Sequence, residues 1–251
     1  MIFSKIELLK LLGLEEAAYG LSPIPGMKMI GEIQIDPVLT QKLVQDEAAI
    51  HASLLKELLA PDMASFGYVA MDPSNDIAHI CIRGTETELE WAADAAALLE
   101  PLNSLQTSIT PHGKVHAGFL RVFWAIQGSL LDLIEKARLD RPSNWVIQGH
   151  SLGAPMAQLC RLLLPDEEVS VCCWAAPRLG DKAFSAWWTS ITSKCQAVIN
   201  IYDLVPHLPP VEMGYETLGE QLRGAGGGSF FNPKMAHNLE EGYRPLLNSL
   251  P

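Results

Sequence analysis

A serine stands between two glycines in Gly149-His150-Ser151-Leu152-Gly153, where the apolar run "NWVIQG" gives way to a helical pattern. Strand, then G-x-S-x-G, then helix is the context that gives this pentapeptide meaning. So sharp a corner strains the serine backbone, and small residues two before and two after it let strand and helix pack closely. The hydroxyl then projects above the sheet edge at the amino end of a helix. There, backbone N–H groups and the helix dipole favour developing negative charge. The plainer reading is a tight turn whose serine only caps the helix.

A serine hydroxyl is a poor nucleophile until a base takes its proton, and the base needs a carboxylate to orient it. On a corner of this kind the chain order is Ser, then Asp or Glu, then His. Asp203 ends the apolar run in "AVINIYDLVPHLPP", just before a proline-rich loop, so it belongs to the same sheet edge as Ser151. Asp181 and Glu212 are competing carboxylates, although Asp181 is better suited to capping the helix that follows it. Beyond Asp203 lie His207 and His237. His207 shares the short loop with the aspartate and is too close to reach Ser151 while still oriented by Asp203. His237, in "NPKMAHNLEEGY", is the better base, the plain alternative being a surface histidine near a helix start.

The elements that must position these groups are legible in outline. "FGYVAMD" and "DIAHICIRG" flank a Pro/Asn/Asp turn and predict a hairpin. Helical periods run over the opening "MIFSKIELLKLLGLEEAAYG", Met1–Gly20, read as an amphipathic helix, over Ile35–Leu59 and from Gly118 to Asp140. Thereafter "NWVIQG", a helix from Leu152 to Leu164, "VSVCCWAA", a helix from Lys182 to Ile191, and "CQAVINIY" alternate. Such alternation predicts a largely parallel sheet covered on both faces. The cluster "GAGGGS", Gly224–Ser229, is read as a mobile loop or a backbone that approaches something closely.

Composition narrows the partners. A chain of 251 residues is read as one domain spanning 1–251. Its net charge of −11, with no Lys/Arg cluster, argues against nucleic acid and anionic lipid. No uninterrupted apolar run approaches the roughly 18 residues of a membrane span, so no integral membrane segment is expected and the chain should be soluble. Five cysteines, two of them adjacent at Cys172 and Cys173, suit thiols in a reducing compartment better than a disulfide framework. Lys5, Glu7 and Lys10 interrupt the leucines at the start, unlike a secretory signal. These points together predict a cytoplasmic protein, with export by another route left open. No Cys/His spacing suggests a metal or cofactor.

The segments "ICIRGTETELEWAADA", "VHAGFLRVF", "VIQGHSLGA", "CWAAPRLGDKAF", "INIYDLVPHLPP" and "HNLEEGY", in this order from Phe66 to Tyr243, resemble the class 3 lipase family of α/β-hydrolases. The resemblance implies an α/β-hydrolase fold: a mostly parallel central sheet, helices on both faces and a helical lid. It implies that Thr85, after the Arg-Gly pair, and the backbone N–H of Leu152 form an oxyanion hole. It also implies a lid over about residues 86–102, carrying Leu89, Trp91 and Asp94, that makes transient contact with a lipid interface. So many alanines in that stretch favour soluble or short-chain esters over emulsified triglyceride, because buried apolar area sets interfacial affinity. His116 is shared with the family, as a packing residue or a pocket residue, and His150 should point away from substrate. Pro155, unusual there, sits in the first helical turn, where its missing N–H costs nothing.

The expected activity is hydrolysis of carboxylic esters, acylglycerols or short-to-medium-chain esters, through an acyl-enzyme on Ser151 with His237 and Asp203. Phospholipase A-type or acyltransferase activity, or a non-catalytic scaffold, are the alternatives.

Overall fold

The computed structural model describes residues 1–20, 24–46, 55, 65–85, 98–102, 109–192 and 194–251. Seven strands form the main sheet in the order β1-β2-β3-β6-β7-β9-β11. They are β1 (Lys28–Gln34), β2 (Ser65–Asp72), β3 (Ile77–Ile82), β6 (Asn144–His150), β7 (Val169–Trp174), β9 (Lys194–Asn200) and β11 (Glu220–Gly224). β1, β2 and β3 pair antiparallel. From β3 through β6, β7 and β9 to β11 every pairing is parallel. A smaller antiparallel sheet joins β10 (Tyr215–Glu216), β8 (Gly180–Asp181), β5 (Lys114–His116) and β4 (Leu99–Pro101).

Helices cover both faces. β2 and β7 are buried along their whole lengths, and β6 nearly so, which is why they read as continuous apolar runs rather than alternating ones. On one face, α3 (Ala117–Arg138) buries Phe119, Phe123, Ile126 and Leu130 at helical spacing. Beside it lies the buried α4 (Gly153–Cys160). On the other face, α1 (Lys5–Gly20) buries Leu8, Leu11, Leu12 and Ala18 in one apolar cluster with Tyr68, Trp174, Leu246 and Leu247. Each of these buried leucines contributes about 1.5–3 kcal/mol when fully removed from water. Among the described residues α3 is the one helix long and apolar enough to cross a membrane. With 67% of its most apolar window buried inside this fold, it is a core helix.

The helix expected over Ile35–Leu59 is present as α2, Pro37–Asp46, and residues 47–54 and 56–59 lie outside the described residues. Strand β1 just before it was not expected. The expectation for the lid stretch needs correction. Residues 86–97, with Leu89, Trp91 and Asp94, lie outside the described residues, and its far end is not helical. Leu99–Pro101 is strand β4, held by pairing with Lys114–His116.

Close packing fixes where α4 leaves the sheet. A methyl group at Gly153 would stand 1.9 Å from Ile82 O, and one at Gly149 would stand 2.1 Å from Gly153 O. Gly128, exposed on α3, meets nothing within 4 Å. Gly153→Ala should therefore cost more than about 3 kcal/mol, whereas Gly128→Ala should gain about 0.5–1 kcal/mol. Thermal unfolding of the two variants reads both signs.

His79 on β3 is buried with both ring nitrogens lacking a hydrogen bond among the described residues. Burial, helped by the Lys10 ammonium, pushes its pKa down to about 4. The unfolded chain takes up this proton near the ordinary value of about 6.5, so the folded state is favoured above that pH and loses ground between about 6.5 and 4. The loss amounts to about 3 kcal/mol. Urea unfolding from pH 7 to pH 4 should give a flatter stability curve for His79→Leu than for the wild type. An unchanged slope would show that this ring is not the buried neutral group.

Candidate active site

β6 delivers His150 to the sheet edge, and Ser151 turns the corner with a φ of 54°, in the left-handed region. A non-glycine residue there stores on the order of 1–3 kcal/mol of strain, which the surroundings must hold. They do so with two backbone bonds: Ser151 N–H donates to Trp174 O at 3.0 Å, and Ser151 O accepts from Ala154 N–H at 3.0 Å. Ser151 is fully buried, and its Oγ makes no hydrogen bond among the described residues. Leu152 is the N-cap of α4, so its N–H belongs to the first-turn donors that have no partner within the helix. Gly84 passes so close that a methyl group on it would lie 2.9 Å from Ser151 Cβ. This brings Thr85, buried and with Oγ1 unbonded among the described residues, beside the serine corner.

Asp203 lies just past the end of β9 and is buried. Its Oδ2 accepts from His237 Nδ1–H at 2.8 Å and from Tyr243 O–H at 2.7 Å, while its Oδ1 accepts from Val205 N–H at 3.0 Å. The proline-rich loop that follows is clasped by Arg178. Its guanidinium donates to His207 O and Pro209 O, and its backbone N–H donates to Leu208 O. The competing residues stand elsewhere. Asp181 caps helix α5 (Lys182–Ile191) by accepting from Phe184 N–H at 2.7 Å, and Glu212 and His207 are exposed.

His237 ends the short helix α6 (Pro233–His237), whose N-cap is Asn232. A π-helical turn, Leu239–Tyr243, follows and leads into α7 (Arg244–Ser249). Its wide winding returns Tyr243 to Asp203, a use of π geometry common at functional sites. The His237 ring lies 4.7 Å, centroid to centroid, from that of His150, the neighbour of Ser151.

His150 faces away from the serine hydroxyl into a chain of hydrogen bonds. Gly84 N–H donates to Tyr19 Oη at 2.9 Å, Tyr19 O–H to His150 Nδ1 at 2.5 Å, and His150 Nε2–H to His237 O at 2.9 Å. The last acceptor is a carbonyl, so Nε2 must carry the proton and Nδ1 must accept, which only the neutral ring can do. Burial drives the His150 pKa well down, with the nearby His237 ring adding to it, so the neutral form holds. Nothing in the sequence gives Tyr19 or Tyr243 a role in this site, although Tyr243 closes the family-like run "HNLEEGY". The contact of Tyr19 with His150 spans 131 residues and that of Tyr243 with Asp203 spans 40.

His116 caps α3 by accepting from Phe119 N–H and stacks on Phe119 at 4.3 Å, the packing role. Near the turns that carry Asp203 and His237 the large apolar side chains Ile201, Leu204, Phe230 and Phe231 are exposed, Phe231 at 99%. Tyr202 and Phe230 meet edge to face at 5.4 Å. The groove of about 850 Å³ against β1 and α3, lined by Gln34, Leu39, Trp124 and Asp132 among others, contains none of the site residues. Among the described residues no group of His, Cys, Asp or Glu is arranged to hold a metal ion.

The sequence is similar to a lipase of Rhizomucor miehei, 32% identical over 161 residues, which cover 61% of this chain and 43% of that protein. The fold matches that of lipase II from Rhizopus niveus with a TM-score of 0.69 at 21% identity, covering 90% of this chain and 82% of that one. It is the α/β-hydrolase fold. The chain spans about half the length of the relatives it matches. One of these, from Fusarium solani, is the "Secreted mono- and diacylglycerol lipase 1", 24% identical over 151 residues, 59% of this chain and 44% of that protein. A secreted relative overturns the cytoplasmic expectation. The physical argument behind that expectation also fails, because all five cysteines are buried free thiols, shut away from solvent oxidants whatever the compartment. The profile of class 3 lipases matches residues 79–213, more than half of the 251 residues and the stretch that carries Thr85, Ser151 and Asp203. The chain belongs to the class 3 lipase family.

Proposed function

We propose that this protein hydrolyses carboxylic esters through an acyl-enzyme, with Ser151 as nucleophile, His237 as general base and acid, and Asp203 as the group that orients His237. The observation that carries the reading is the buried 2.8 Å bond from His237 Nδ1 to Asp203 Oδ2, with the His237 ring 4.7 Å from that of His150, the neighbour of a serine in left-handed backbone geometry. That bond fixes the imidazole tautomer and leaves Nε2 as the proton acceptor. Ser151 Oγ attacks the ester carbonyl carbon while His237 Nε2 takes its proton. The oxyanion is held by Thr85 and by the Leu152 N–H at the start of α4, where donors in a water-poor site count most. The tetrahedral intermediate collapses, the C–O bond to the alcohol breaks, and His237 returns the proton to the leaving oxygen. Water then attacks the acyl-enzyme by the same route and releases the acid.

Acylglycerols or short-to-medium-chain esters are the proposed substrates. The apolar rim of Ile201, Leu204, Phe230 and Phe231 supports an acyl chain or lipid surface near this edge. The whole chain, 1–251, is read as one α/β-hydrolase unit. Residues 86–102 are read as a lid with Leu89, Trp91 and Asp94, on the family resemblance.

A fluorophosphonate probe should label the wild type and leave Ser151→Ala unlabelled. On p-nitrophenyl esters of graded chain length, His237→Ala and Asp203→Asn should each lower kcat by about 10⁴-fold or more. Labelling that survives in Ser151→Ala would sink the reading. Phosphatidylcholine assayed alongside, with lysolipid as the product sought, separates ordinary esterase from phospholipase activity.

Tyr243→Phe removes one of the two bonds to Asp203 Oδ2 and leaves that of His237. It should lower kcat/KM about tenfold, measured on the best ester of the panel.

A further inference from the structure

Asn200 is the last residue of β9 and is fully buried. Its Nδ2 group donates to Gly227 O and to Ala236 O, each at 2.9 Å. Its Oδ1 accepts from Gly226 N–H at 3.0 Å and from Tyr202 N–H at 3.3 Å. A primary amide offers two N–H donors and two acceptor lone pairs, so every hydrogen-bonding position of this side chain is used. The backbone carbonyl of the same residue accepts from Asp203 N–H at 2.9 Å. One residue thereby joins the turn that presents the acid, the glycine run after β11 and the peptide just before His237.

The glycines make that junction possible. A methyl group at Gly226 would lie 2.9 Å from the Asn200 amide and 2.0 Å from Gly242 O. At Gly227 it would lie 1.8 Å from Glu241 O, and at Gly228, where φ is +83°, 2.5 Å from Ala236 N. The glycine cluster is thus a backbone pressed against the segment that carries His237 and Tyr243.

No other residue type reproduces this set of bonds. Aspartate would turn oxygen lone pairs toward two carbonyl oxygens, and alanine would strip all four bonds, including the one to the buried carbonyl of Ala236. We propose that Asn200 is a positioning residue for the proposed triad. It sets the separation of Asp203 from His237 while touching neither side chain. This rests on the ester-hydrolase reading above.

The test uses the full chain as Asn200→Ala and Asn200→Asp, with kcat and KM on a soluble p-nitrophenyl ester, thermal unfolding, and the downfield proton resonance of the His237 Nδ1–H. A misplacement of about 1 Å costs about 10²-fold in rate. Folded variants should therefore lose about that much kcat with KM within about twofold, and the His237 resonance should broaden or vanish. Variants that melt earlier yet keep wild-type kcat and the sharp resonance below their melting point would overturn the proposal, leaving Asn200 a structural residue only. If neither variant folds, the wild type decides. Its Asn200 side-chain amide protons should exchange slowly with solvent, and exchange as fast as an exposed amide would overturn the junction. A wild type without ester turnover or probe labelling would refute the hydrolase reading alone, since the resonance still reports on the Asp203–His237 spacing.

Discussion

The carboxyl group of Asp203 has to be satisfied away from water, and much of the carboxyl-terminal third of the chain is arranged around that demand. A buried carboxyl without partners costs several kcal/mol, so donors must converge on it. Here they come from three segments: Val205 in the turn just beyond, His237 at the end of α6, and Tyr243 from the π-helical turn. A π turn is a costly piece of backbone, and its return for that cost is the reach of Tyr243 back to the acid. The clasp of Arg178 on the loop carbonyls serves the same end, because it stops the chain beyond Asp203 from swinging the carboxyl out of reach.

A second constraint is steric. The serine corner and the His237 segment are both places where backbones touch with no room for a side chain, Gly153 against Ile82 in one and Gly226–Gly228 against the 236–242 segment in the other. At the corner the cost appears as the left-handed φ of Ser151, tolerated because neighbouring strands and the first turn of α4 hold its amide and carbonyl. The segments that carry Ser151 and His237 are thus both set by main-chain contact. Placement of this kind varies less than one that depends on flexible side chains.

The parts of this arrangement legible in the sequence are those encoded locally. Ser151 on its corner, the apolar runs of β6, β7 and β9, the β2–β3 hairpin and the helices around Ala117–Arg138 and Lys182–Ile191 all follow from short-range pattern. Asp203 and His237 were legible because the chemistry demands an acid and then a histidine, and few candidates lie downstream. Strand β1 was missed because it is an edge strand whose one fully buried side chain is Ile33, which leaves no alternation to read. The strands of the small sheet have two or three residues each, below the length at which a period exists. Asn200, Tyr19 and Tyr243 act through contacts across tens of residues or more. Before folding, an asparagine or tyrosine in such a run looks like any other.

The hydrogen-bond chain from Gly84 through Tyr19 and His150 to the carbonyl of His237 makes α1 a structural part of the candidate site. The stretch that defines the family, 79–213, therefore cannot stand for the working unit. A piece trimmed to those limits would keep Ser151 and Asp203. It would shed His237 and Tyr243, which both bond Asp203, and the helix whose Tyr19 phenol accepts from Gly84 N–H. In this chain the recognisable middle holds half of the candidate site, and the two flanks fold back over it to supply the rest.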